Sequence, residues 1–132
     1  MPLLTRTFIK TAMACFALAL ALGIALAAGV TNGLFPIYIH LLVFGWLTQL
    51  IFGVVFWMFP KFSAEKPRGN ETLGWWTYAL LNLGLLLRAI AEPIQATQPN
   101  PVSGWALVIS AILQFLAGAL FVINSWERVK EK

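Results

Sequence analysis

Four long apolar runs govern what this chain can fold into. The first extends from about Ile9 to Val30, the second from Ile37 to Phe59, the third from Leu73 to Ala91 and the fourth from Val102 to Ile123. Each is close to the roughly 20 predominantly apolar residues that an α-helix needs to cross the hydrocarbon of a bilayer. In hydrocarbon every backbone N–H and C=O must find a partner within the protein, and a helix supplies those partners within the segment itself. Turn signals separate the runs: Thr31-Asn32-Gly33, then Pro60 through Asn70, then Pro93 through Pro101. Only 11% of the 132 residues are charged and 60% are hydrophobic. A soluble domain carries about 25% charged residues, so a soluble fold would lack the polar surface to cover itself. The expectation is a single all-α domain over 1–132, an integral membrane four-helix bundle running up, down, up, down.

The first run also has features of a secretory signal, with Arg6 and Lys10 in front and Ala25-Leu26-Ala27 as a cleavage site. Its length exceeds the roughly 7–15 residues of a signal's apolar core, which favours a retained span. Orientation follows from the basic residues. Arg6 and Lys10 precede span one, Lys61, Lys66 and Arg68 lie between spans two and three, and Arg128, Lys130 and Lys132 follow span four. The loops after spans one and three hold no Lys or Arg. Lys and Arg collect on the cytoplasmic side, so the expected protein is multi-pass in the cell's inner, cytoplasmic membrane with both termini in the cytoplasm. Trp57, Trp75, Trp76, Trp105 and Trp126 fall near span ends, as interfacial anchors do. The basic clusters read as topology signals, and no basic-aromatic pattern points to nucleic acid.

Small residues mark faces for close packing. Span one carries Ala17, Ala21, Ala25 and Gly29 at four-residue spacing, span two Gly45, Gln49 and Gly53, and span four Ser110, Gln114 and Gly118. Small residues let membrane helices approach closely, and a Gln in hydrocarbon needs a hydrogen-bond partner, so Gln49 and Gln114 are expected to face protein. The stripes serve equally to join helices within one chain or between chains. Cys15, the one cysteine, sits inside the first run and makes no intrachain disulfide; it reads as a small apolar filler.

Ionisable side chains inside spans are costly and tend to mark function. Here they are His40, Arg88 and Glu92. His40 lies about one turn into span two and Arg88 about one turn before the end of span three, so both sit roughly 5–6 Å below the outer interface. Gly84, Arg88 and Glu92 share one helix face at four-residue spacing. Arg88 can snorkel to the interface and pair with Glu92. It can equally meet a propionate of a porphyrin lying flat on Gly84. His40 is either an interfacial histidine bonded to a carbonyl or to Glu92, or an axial ligand to haem iron. Phe44, Leu47 and Ile51 are expected to share its face as an apolar wall. One histidine per chain ligates a haem from one side, so a bis-histidine site requires two chains.

The run His40-Leu41-Leu42-Val43-Phe44-Gly45-Trp46, continuing through Gly53 to Phe59-Pro60-Lys61-Phe62, resembles the second transmembrane helix of the heme-copper oxidase subunit I superfamily. It is most similar to the nitric oxide reductase and small oxidase-like branches. In that family a histidine near the outer end of this helix ligates a low-spin haem. The resemblance therefore implies that His40, and no other residue by motif, is an axial, metal-binding ligand of haem b; Arg88 follows only from the common use of arginines on propionates at such sites, and Gly84 as a cofactor contact rests on the shared helix face alone. It covers about 27 of the 132 residues. It departs from the family in having four spans instead of about twelve and no counterpart of the histidines for copper and high-spin haem. That departure takes oxygen or nitric oxide reduction by this chain alone out of the expectation. It leaves a homodimer or other homo-oligomer of four-helix units, active in electron transfer or in haem or gas binding.

Two other function classes compete. One is a cofactor-free accessory or assembly subunit of a respiratory membrane complex, its small-residue and Gln stripes serving to dock other respiratory-chain subunits. The other is a small transporter or channel, which is disfavoured because no acidic residue lies near a span's midplane and no span is broken by Gly or Pro. No Cys/His metal spacing, phosphate loop or nucleophile-base pair gives the chain a catalytic signature of its own. Asn70-Glu71-Thr72 lies in a loop expected to be cytoplasmic. The mixed charges from Arg128 to Lys132 read as a solvated helix end.

Overall fold

The structure is a computed structural model that describes residues 1–130; Lys132, counted above among the basic residues, lies outside the described residues. Four helices are long and apolar enough to cross a membrane: α1 (Leu3–Ala27), α2 (Leu34–Met58), α3 (Glu71–Thr97) and α4 (Pro101–Trp126). The protein is all-helical, as the four apolar runs require.

Local chemistry sets the helix ends. Gly29 has φ 91°, and Val30 N–H reaches the Ala25 carbonyl while Gly29 N–H reaches that of Leu26. This Schellman arrangement stops α1 at Ala27, three residues before the expected end, because the left-handed conformation suits Gly and satisfies the last carbonyls. The Asn70 side chain accepts from the N–H groups of Thr72 and Leu73 and starts α3. Asn100 accepts from Ser103 N–H ahead of Pro101 at the first turn of α4. The third separator is shorter than expected. α3 continues through Pro93 to Thr97, so the turn is only Gln98 to Asn100. A proline near a helix end removes one intrahelical hydrogen bond, from the carbonyl four residues earlier, and leaves the rest intact.

The helices alternate in direction. From one end of α1 to the other, Phe8 meets Gly53, Cys15 meets Gly45 and Gly23 meets Tyr38, so α1 and α2 are antiparallel. Arg88 bonds Ser110 and Asn124 bonds Asn70, so α3 and α4 are antiparallel as well. The start of α1, the end of α4 and the 59–70 loop thus lie at one end, here called the basic end. The 31–33 and 98–100 turns lie at the other, here called the Gly33 end. α1 packs on α2, α2 on α3 and α3 most extensively on α4.

The apolar core sits toward the basic end. It comprises Leu4, Phe8, Phe52, Phe56, Leu81 and Ala117, with Phe44, Tyr78, Leu80 and Phe121 packed around it. Phe52 stacks on Phe121, and Phe8 sets its edge against both Phe52 and Tyr78. Elsewhere large apolar side chains point outward, among them Ile24, Leu86, Val102 and Phe115. That outward surface suits hydrocarbon, where close packing holds helices together because lipid is as apolar as leucine. Gly45 and Gly53 provide the packing between α1 and α2: a Cβ on Gly45 would lie 2.9 Å from that of Cys15, and one on Gly53 2.7 Å from that of Phe8.

The Ala17–Ala21 stripe of α1 is exposed, and α1 turns Phe8, Ala12, Cys15 and Ala19 inward in its place. The C-terminal segment also corrects an expectation. Arg128 is 1% exposed and donates to the carbonyls of Phe59 (2.9 Å) and Pro60 (3.1 Å), while Lys130 donates to those of Lys61 and Phe62. A cation that caps the carbonyls at a helix C-terminus is held there by the same unsatisfied groups that make such an end negative.

Candidate functional site

The second helix is not α-helical throughout. Residues Leu34–His40 are α-helical, Leu41–Thr48 form a π-helix and Gln49–Met58 are α-helical again. π-helical turns are rare and concentrate at functional sites. This one begins at the residue after His40. A sequence reading based on α-helical spacing therefore misjudged the surroundings of His40. Phe44 does lie against the imidazole, with ring centroids 5.6 Å apart and planes 24° from parallel. Leu47 and Ile51 point outward, because a π segment turns less per residue and carries them off the His40 face.

His40 is half-buried. Its Nδ1 lies 2.8 Å from the Pro36 carbonyl oxygen. A carbonyl only accepts, so Nδ1 carries the proton, and in neutral imidazole the lone pair is then on Nε2. This is the arrangement that orients a ligating histidine: one ring nitrogen held by a backbone carbonyl, the other free to bind. Arg88 and Glu92 lie within Coulombic reach of the ring, which fits the common depth expected of His40 and Arg88.

Arg88 and Glu92 make the expected i,i+4 pair, Nη1 to Oε1 at 2.5 Å, with side chains 17% and 14% exposed. Arg88 Nε also donates to Ser110 Oγ at 3.3 Å. Its partner Glu92 is tied to the start of α2, since a Cβ on Gly33 would lie 2.7 Å from the Glu92 carbonyl oxygen. Next along the same end, Ser103 Oγ donates to Gln95 Oε1. The Gly33 end of the bundle is therefore the polar end within the membrane, complementary to the apolar core at the basic end.

Gly84 does not offer a bare shelf. It is buried, and a Cβ there would come within 2.9 Å of Gln114 Cγ and 3.1 Å of the Ser110 carbonyl oxygen. Its lack of a side chain lets α4 approach α3, and α4 already covers the face on which a flat ligand would lie. Gln49 and Gln114 face protein as expected, both buried. The partner of Gln49 escaped the sequence reading. Asn82 Nδ2 donates to Gln49 Oε1 at 2.6 Å and to the Tyr78 carbonyl at 2.8 Å, and Tyr78 shares a hydrogen bond with Thr11. The available signal was an Asn in the middle of an apolar run, which has the same need for a partner as a Gln.

Among the described residues no group of three or more His, Cys, Asp and Glu could hold a bare metal ion. The chemistry present is one imidazole with a free lone pair, beside an arginine and a carboxylate. An imidazole held in this way has one nitrogen able to donate to a metal. Comparison with protein-family models, with curated proteins and with solved structures finds no match to this chain.

Proposed function

We propose that this protein binds haem b in the membrane, as a homodimer or other homo-oligomer, with His40 as an axial ligand, and acts in electron transfer or in haem or gas binding. The observation that carries this reading is the Nδ1–H to Pro36 carbonyl bond. It fixes the tautomer and leaves Nε2 as the donor. When bound, the haem iron supplies one-electron chemistry or a coordination position for a gas. The chain itself orients the imidazole, backs it with Phe44 and holds a guanidinium nearby. Arg88 is the propionate partner in this reading, and a propionate there competes with Glu92 for it. Gly84 drops out as a ligand contact because α4 occupies its face. One His40 per chain would hold the group together with the His40 of a second copy. In this reading the basic end faces the cytoplasm, in accord with the Lys and Arg bias.

The test is the absorption spectrum of protein purified from haem-supplied cells, oxidised and reduced. The expected result is a Soret band and a low-spin reduced α-band at one haem per two chains, both lost in His40→Ala. A colourless protein overturns the reading. A second reading, a cofactor-free accessory subunit of a respiratory membrane complex, is favoured by the outward-facing Ala17–Ala21 stripe. Recovery of a colourless chain only together with other respiratory subunits would select it.

A further inference from the structure

Side chains along α2 are arranged in rows at a spacing of four. Phe35, Ile39, Val43, Leu47 and Ile51 are exposed. Ile37, Gly45, Gln49 and Gly53 are buried. An α-helix turns roughly 100° per residue, so a row spaced by four drifts by about 40° at each step. The outward row, four steps long, would wander by about 160° in an uninterrupted α-helix. It stays on one side because residues 41–48 form the π segment, which turns less per residue.

The consequence for His40 is specific. His40 precedes Gln49 by nine residues, and nine α-helical residues turn about 900°, two and a half turns. With Gln49 wholly buried, an uninterrupted α-helix would aim His40 at lipid. In the structure His40 is instead half-buried, with Arg88 and Glu92 of α3 near enough to act on its charge.

The polar contact on the π segment is made by a side chain. The Gln49 backbone N–H leaves the π register, reaching the Trp46 carbonyl three residues back, while the Gln49 side-chain Nε2 donates at 2.9 Å to the Gly45 carbonyl. That is the carbonyl its own N–H takes in an α-helix. Asn82 of α3 then donates to Gln49 Oε1. The Gln49 side chain is thus tied at both ends, to the π segment and to α3. With Gln49 and Gly45 both buried, an unmade hydrogen bond here would be costly in hydrocarbon.

We propose that Gln49 and Asn82 are positioning residues for His40: by holding residues 41–48 in the π register they turn the imidazole from the lipid face to the α3 flank. This rests on the reading of His40 as the iron ligand for its functional meaning, but its geometry does not require haem. It predicts that one amide pair, buried Gln49 with half-buried Asn82, decides from nine residues along α2 whether the iron ligand faces its site.

The test uses a nitroxide at position 40, introduced as His40→Cys in a Cys15→Ala background and read by electron paramagnetic resonance in liposomes. With Gln49 and Asn82 intact, the label is expected to be restricted and poorly accessible to dissolved oxygen. In the Gln49→Leu/Asn82→Leu variant it is expected to become mobile and severalfold more accessible to oxygen. A second variant guards against simple misfolding. Deleting lipid-facing Val43 leaves eight residues from His40 to Gln49, about 80° apart on a regular α-helix. The label in that deletion should stay restricted whether residue 49 is Gln or Leu. A label at 40 that does not respond to Gln49→Leu/Asn82→Leu in protein of unchanged helix content overturns the proposal, and so does a lipid-exposed label in the Val43 deletion. In parallel, Gln49→Leu/Asn82→Leu with His40 present should lose the low-spin haem bands. A label that responds as expected in a protein that binds no haem supports the positioning and overturns the haem reading alone.

Discussion

Arg128 Nη2 donates to the Phe59 carbonyl at 2.9 Å, so a residue beyond the end of the last helix closes the end of the second. The adjacent Nε–Pro60 contact and the Asn124–Asn70 contacts fasten the C-terminal segment to the middle loop. Arg128→Met keeps the apolar stem and removes the donors. It should cost about 2 kcal/mol, the range for hydrogen bonds to a charged group, read as a lower midpoint in detergent-denaturation titrations.

The same residue gives a pH prediction. Burial, with the Arg68 charge as a second cause, holds the Arg128 guanidinium below its usual value. Arginine still stays protonated in folded and unfolded chains through the neutral range, so it contributes no pH slope there. In Arg128→Lys the ordinary value is about 10.4, and the same burial lowers it in the folded state. The unfolded chain then binds the proton more tightly. Stability of Arg128→Lys should rise with pH between the lowered folded value and about 10.4, and be lowest below both. Denaturation midpoints across alkaline pH check this, and a flat profile would show that the lysine has moved into solvent.

Packing between α1 and α2 depends on two glycines that no side chain can replace. A methyl on Gly53 meets Phe8 Cβ, an atom too close to its own backbone to move aside. Gly53→Ala should therefore lose about 1–3 kcal/mol. Phe8→Ala in the same chain would leave that loss unrelieved, because the clash is with Cβ. Thermal unfolding of the single and double variants distinguishes this from a clash with the ring.

Between α3 and α4 the corresponding position is Gly84. A Cβ there presses on the Ser110 carbonyl oxygen as well as on Gln114 and Leu113, so Gly84→Ala should lower stability by about 1–3 kcal/mol with or without added haem. An effect on haem retention with no loss of stability would return Gly84 to the cofactor.

The sequence reveals the spans because bilayer thickness imposes one length on all of them, and it brings His40 and Arg88 to one depth by simple rise per residue. It conceals the π segment because nearly every residue of α2 is apolar. With little polar contrast, the four-residue rows from Phe35 to Ile51 do not stand out as rows. The Arg88–Glu92 pair was visible because i,i+4 spacing is local. The covering of Gly84 was not, because it depends on which helix α3 chooses as neighbour. Arg128 was misjudged for the same reason: its partners at Phe59 and Pro60 are nearly 70 residues away, and a charged tail looks solvated until the helix end it caps is in place.

The ion pair at the polar end yields the sharpest energetic contrast. Arg88 and Glu92 are mostly buried among apolar helices, so removing one partner leaves an uncompensated charge where hydration is poor. Arg88→Met or Glu92→Met alone should destabilise by about 3 kcal/mol, the scale for breaking a buried pair. The double variant Arg88→Met/Glu92→Met removes both charges, and replacing a buried pair with apolar side chains is often neutral. Its midpoint should return close to that of the unaltered protein, giving a strong coupling energy in a double-mutant cycle. Near-additive losses would mean that the two side chains reach water separately and that the pair is incidental to the fold. Haem retention measured on the same four proteins separates the roles. If Arg88 meets a propionate, the double variant recovers stability but not haem, because only Arg88 supplies a cation at that position.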